Sequence, residues 1–323
     1  MNATKTLGPR AEAALAAALC LTLAACERGG GVRMIDLSDP AHPALLGTVE
    51  TPGGAAAVAI SGTAAYVADT TAGLQVIDVS DPANAKLLGS VDTPGGAAAV
   101  AVSGPLAYVA DTTFGLQVID VSDSAHPTIL GAVNTPGGAV DVAISGSLVY
   151  VADTTSGLQV IDVSDPTRPV IVGSVDTPGG AVAVAVSNTT AYVADTSFGL
   201  QVIDVSAPDA PSLLGTIDTP GGAAGVAVLG AFAYVADTAS GLRAIDVSDP
   251  AHPTALGFVD TPGGAADVTV AGAVAHLADT SAGLQVIDLS DPAGPALLGS
   301  LDTSRSAGSV AVSGSVAYVT RGR

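Results

Sequence analysis

Apolar residues along this chain come in short runs of five or six, each closed by Gly, Pro, Asp or Ser, and the runs recur in a fixed order. Ala56 to Ser61 is followed by the turn Ser61-Gly62, then by Ala64 to Asp69 and the turn Asp69-Thr70-Thr71-Ala72-Gly73. Leu74 to Val79 ends at Ser80-Asp81-Pro82, and Leu87 to Val91 ends at Thr93-Pro94-Gly95-Gly96. Runs of this length and punctuation predict four antiparallel strands joined as a meander. Many of the strands are apolar on both faces, as in Leu74-Gln75-Val76-Ile77. A sheet buried on both faces needs a neighbour on each side, and sheets stacked face to face around an axis meet that need.

The unit repeats every 42 residues, with the third strand opening at Gly31, Gly73, Gly115, Gly157, Gly199, Gly241 and Gly283. A fixed period of this size predicts an array of one supersecondary unit. The phase of its ends separates a ring from an open solenoid. Repetition begins at the third strand of a unit and stops after the second strand of another, so residues 305–323 and 31–52 complement each other. We expect an all-β, seven-bladed propeller of four-stranded blades: 53–94, 95–136, 137–178, 179–220, 221–262, 263–304, and a split blade of 305–323 plus 31–52. A solenoid would instead carry polar capping units.

Residues 1–25 lie outside the repeat. Lys5 and Arg10 precede an apolar stretch, Ala13 to Ala25, too short to span a bilayer and of signal-peptide length. It runs into Leu23-Ala24-Ala25-Cys26, which resembles the lipobox of bacterial lipoproteins. That resemblance implies cleavage before Cys26, lipid on that residue, and export to the cell envelope, periplasmic or surface-exposed. Cys20 would leave with the signal, so no intramolecular disulfide is expected. Residues 26–30 would form a short tether.

The strings Ala-Tyr-Val-Ala-Asp, Gly-Leu-Gln-Val-Ile-Asp-Val-Ser-Asp-Pro and Leu-Leu-Gly-Ser-Val-Asp-Thr-Pro-Gly recur over residues 31–323 and resemble the LVIVD repeat of bacterial and archaeal surface proteins. The resemblance implies a propeller and a surface location, and no particular activity. An Asp often precedes Val-Ala-Val-Ser-Gly in that repeat. Here the position holds Ala57, Ala99, Asp141, Ala183, Gly225, Asp267 and Ser309. The innermost strand lines the channel of such folds, so only Asp141 and Asp267 would supply channel carboxylates, for a cation or a basic ligand.

Net charge is −20, which argues against nucleic acid, since phosphate binding needs clustered Lys and Arg. Of 27 aspartates, 24 occupy four recurring positions, leaving Asp141, Asp209 and Asp267. The series of Asp78 and of Asp69 fall at strand ends. Turn hydrogen bonding explains them more simply than calcium, whose loop pattern is missing. His42, His126 and His252 share one Pro-flanked turn, and His276 replaces the repeated tyrosine, where a packed, hydrogen-bonded role is expected. No nucleophile elbow, zinc-protease helix or phosphate loop is present.

Five of the eight Lys and Arg after residue 26 belong to the split blade or its leader: Arg28, Arg33, Arg305, Arg321 and Arg323. Strand three starts on the face carrying the Asp-Thr-Thr turns, so these arginines are expected to touch anionic head groups there, with the opposite face turned to a protein partner. The expected function is a lipid-anchored, monomeric, non-catalytic binding or scaffold module without cofactor. The alternatives are a hydrolase or lyase at the channel mouth, and a cation-dependent adhesion or carbohydrate-binding module using Phe114 and Phe198.

Overall fold

The computed structural model describes residues 30–303 and 306–321. They form 28 strands in seven four-stranded antiparallel sheets arranged as a ring. In the first continuous blade β3 (Ala55–Ser61) is innermost, followed outward by β4 (Ala64–Asp69), β5 (Gly73–Asp78) and β6 (Lys86–Val91). Five more blades repeat this order. The seventh is composite: β27 (Ala307–Ser313) and β28 (Val316–Arg321) from the C-terminal end, then β1 (Gly30–Asp36) and β2 (Ala44–Thr51) from the N-terminal end. The expected fold and split blade are both present, with strand limits within a few residues of those read from the pattern. Inner strand β27 packs against β3, which closes the ring.

The seven blades hold together through the spaces between them. Tyr66 of one blade packs with Val100, Ile119 and Val121 of the next. Val32 and Met34 of the split blade pack with Val58, Val67 and Ile77 on one side, while Ile35 and Leu37 pack with Leu284 and Val286 on the other. The two middle strands of each blade, such as β4 and β5, are therefore buried on both faces because each face meets a different blade, while the outer strands are largely exposed. Backbone approach also matters at the rim. A side chain on Gly89 would collide with the carbonyls of Ser124 and Ala125 in the neighbouring blade, and Gly299 meets Pro40 and Ala41 in the same way. The turn between the first two strands needs a left-handed residue. Gly62 supplies it in the first blade (φ 59°), and Asn188 does so in the fourth (φ 54°).

Candidate functional site

The Asp69 series caps its own turn, as the pattern predicts, and does a second job. Each of these carboxylates is fully buried. In the third blade Asp153 Oδ1 accepts from the Thr155 N–H (3.2 Å), and its Oδ2 accepts from the Gly137 N–H (2.9 Å), 16 residues earlier. The same pair of bonds recurs at Asp69, Asp111, Asp195, Asp237 and Asp279. Each carboxylate thus fastens the loop that enters its blade to the turn that leaves the second strand.

The Asp78 series stops the third strand. Ser80 donates to Asp78 Oδ1 at 3.0 Å, and the Ser80 side chain and backbone hold the Asp78 carboxyl below the usual range. The exposed histidines pair within their own turns: His42, His126 and His252 lie 2.8–2.9 Å through Nδ1 from Asp39, Asp123 and Asp249. Phe114 and Phe198 are exposed at turns of two different blades, and their backbone N–H groups donate to Asp111 and Asp195.

The channel brings the two unusual carboxylates into one cavity. Asp141 on β11 (Ala139–Ser145) and Asp267 on β23 (Ala265–Ala271) line a space of about 140 Å³ along the axis, walled otherwise by small residues such as Ala57, Ala99 and Gly308. Neither hangs free. Asp141 Oδ2 accepts from the Val184 N–H (2.8 Å) on the inner strand of the next blade. Asp267 Oδ2 accepts from Val310 N–H (3.0 Å), also one blade on, and its Oδ1 accepts from its neighbour Val268 (2.7 Å). Each carboxylate is an inter-blade brace. Burial at the axis pushes Asp141 up to about 7, with the charge of Asp267 across the channel adding to it and the two N–H donors, Val184 and Val142, opposing. Asp267 is likewise raised, chiefly by burial. Among the described residues no group of three or more His, Cys, Asp or Glu is placed to hold a metal.

Of the five arginines expected at a membrane, Arg33 and Arg321 are described; Arg28, Arg305 and Arg323, with Cys26 and residues 1–25, lie outside the described residues. Arg33 is half-buried in β1. Arg321 is mostly buried and its guanidinium engages Glu50, Nη2 lying 2.8 and 2.9 Å from the two carboxylate oxygens. A head-group contact by Arg321 would have to compete with that pair. Sequence reasoning missed this partnership, and also Thr320, whose hydroxyl donates to the Ala56 carbonyl (3.2 Å) in the next blade and accepts from Ser309 N–H (2.8 Å). It missed Arg243, which lies over the Phe258 ring at 5.2 Å and 3.5 Å from buried Asp237. The signal for all three was a departure from the repeat: Thr for Ala, Arg for Asp, Arg for Gln.

The His276 ring is buried as expected, but its Nδ1 has no hydrogen-bond partner. Burial alone pushes the imidazole down to about 4, so it is neutral over the physiological range.

The molecule is thus a closed seven-bladed propeller whose axis carries two braced carboxylates. The chain belongs to the LVIVD repeat family, with successive repeats matched over residues 27–51, 52–93, 94–135, 136–177, 178–219, 220–261 and 262–303. No curated protein matches the chain. Among solved structures, that of the computationally designed Ika8 protein is similar, with a TM-score of 0.65 at 10% identity over 83% of this chain and 81% of that one. At that identity the likeness concerns the fold alone.

Proposed function

We propose that the protein is a non-catalytic binding or scaffold propeller, held in the bacterial cell envelope by lipid on Cys26. The observation that carries this reading is how the recurring polar side chains are used. The Asp69 and Asp78 series and three of the four histidines are spent on hydrogen bonds within their own blades, repeat after repeat. What the repeats then offer is a set of near-equivalent turns around two faces, a geometry suited to docking a protein partner. The leader Lys5 to Cys26 supports the anchor, and a tether of residues 26–30 spans only about 15–18 Å when extended. It would hold the split blade close to the bilayer and turn the opposite face, with its Ser-Gly turns, outward.

Two measurements test it. Cells fed a clickable palmitate analogue should label the wild type and not Cys26→Ser; equal labelling removes the anchor. Photocrosslinkers placed singly at the exposed Ser61, Ser103 and Ser145 should capture one common partner in intact cells, while crosslinkers in the Asp-Thr-Thr turns should not. Capture independent of face would remove the docking role.

The channel favours a second reading, a small cation or amine held between Asp141 and Asp267, because both carboxylates line one cavity. A calcium-dependent rise in melting temperature that EDTA reverses and Asp141→Asn abolishes would support it. Equal melting with calcium and with EDTA would remove calcium from consideration.

A further inference from the structure

Six blades place a tyrosine at the third position of the second strand: Tyr66, Tyr108, Tyr150, Tyr192, Tyr234 and Tyr318. The sixth continuous blade places His276 there, on β24 (Val274–Asp279). Its ring is 4% exposed and Nδ1 is buried without a hydrogen-bond partner. A polar nitrogen left in that condition opposes folding, whereas the tyrosine used elsewhere in the ring packs against the next blade. The substitution therefore spends stability at one position, and the surroundings suggest on what.

His276 borders a cleft of about 310 Å³ between the sixth blade and the split blade. Leu37, Pro40, Val274 and Val312 form apolar walls, and Ser38 and Ser315 also line the cleft, the Ser38 hydroxyl already donating to Asp36. We propose that this cleft binds a small, uncharged, mostly apolar molecule bearing one hydrogen-bonding group, of which a simple phenol is the type, with His276 as its polar anchor.

Charge decides the class. The imidazole is neutral near pH 7, so an anion would find no countercharge, and no carboxylate lines the cleft to meet a cation. One imidazole and two serines are also too few donors of the right kind for a transition metal. A neutral imidazole can accept from a hydroxyl where a turn of the ring brings its buried nitrogen to the cleft, and the apolar walls suit an aromatic ring. The volume is at the small end of ligand pockets. A cleft of the same kind lies one blade earlier, about 470 Å³, but there Tyr234 already supplies the phenol.

The walls come from both ends of the chain, Leu37 and Pro40 from one and Val312 and Ser315 from the other, beside the bond from Leu37 N–H to the Ser315 carbonyl (2.7 Å). A bound molecule would touch both halves of the composite blade and so stabilise ring closure.

The test uses the purified protein with ¹³C-labelled histidine. The three exposed histidines act as internal references. Titration with p-cresol should shift the His276 resonance alone, with millimolar saturation and a rise in melting temperature; toluene should bind at least tenfold more weakly, and 4-methylbenzoate not at all. His276→Tyr, the residue of the other blades, should keep the fold and abolish saturation transfer to the p-cresol methyl group. His276→Phe should bind p-cresol and toluene alike. The proposal is overturned if p-cresol gives no saturable shift at His276, if toluene matches it on the wild type, or if His276→Tyr binds p-cresol undiminished.

Discussion

Arg321 and Glu50 clasp each other across Gly31, the residue that stands between them in the ladder of the split blade. In the other six blades the Arg321 position is an aspartate, and a covalent turn carries the chain from the second strand to the third. The split blade lacks that turn, and the ion pair joins β28 to β2 over the intervening strand instead. Glu50 is the one glutamate within residues 30–321; five blades hold Asp there.

The extra methylene should matter. Arg321→Ala and Glu50→Asp should each lower the urea midpoint, and a double-mutant cycle between Arg321→Ala and Glu50→Ala should give a coupling of about 1 kcal/mol, discounted for the solvent that reaches Glu50. The coupling should shrink in 1 M salt. A coupling near zero at low salt would mean that the ladder alone closes the ring.

Asp153 and Gly137 should be coupled through space as well as through their hydrogen bond. A Cβ on Gly137 would collide with Asp153 Oδ1 and with Thr155 Oγ1. Gly137→Ala should therefore destabilise the wild type by about 2 kcal/mol or more, in the range of overpacking, and less in the Asp153→Ala background, where the Thr155 contact alone remains. Asp153→Ala itself should cost about 2–4 kcal/mol, because it strands the Gly137 and Thr155 N–H groups. Chemical denaturation of the four proteins measures all three quantities, and additive costs would contradict the shared space.

Asp141 should make the protein less stable as pH rises. Its carboxyl is raised from 3.8 to about 7 in the fold. The folded state therefore holds a proton that the unfolded chain has already lost, and the stabilisation, full below pH 3.8, disappears as pH climbs through about 7. Asp141→Asn keeps an oxygen for the Val184 N–H and removes the ionisation. Melting scans should show the variant about equal to wild type at pH 4 and higher by several degrees at pH 8. A variant that melts lower at pH 8 would show that the ionised carboxylate is the better brace.

His276 should act in the opposite pH direction. Its folded value is depressed from 6.5 to about 4, so the unfolded chain takes up a proton first on acidification. The stability tied to this residue is present above pH 6.5 and is lost as pH falls toward 4. His276→Tyr should remove this acid sensitivity, measured as the difference in melting temperature between pH 7 and pH 4.5. An unchanged difference would assign the acid limb to other groups.

The architecture was legible because the turn chemistry recurs from repeat to repeat: Ser-Gly, Asp-Thr-Thr, Ser-Asp-Pro and Thr-Pro-Gly-Gly, or close versions of them, mark the strand ends of most units, and the complementary phases of the two chain ends declare the composite blade. Asp141 and Asp267 were legible as axial residues for the same reason. Their bonds were not, since each acceptor meets a donor 43 residues on, one full repeat plus one, and that offset depends on how adjacent blades stack. The Asp69 series read as turn caps, and its reach to a loop 16 residues earlier needed the fold. Arg321 read as surface charge because its partner, Glu50, lies 271 residues away in sequence.

Neither chain end of the ring sits on an edge strand. β1 lies between β2 and β28, and β28 lies between β27 and β1. Tension applied along the strand at residue 30 would load two antiparallel ladders in shear, so their hydrogen bonds would have to yield together and not peel in sequence. The composite blade is in this sense a mechanical clamp: a pull at residue 30 would be shared by β2 and β28 before any bond in the other six blades is strained.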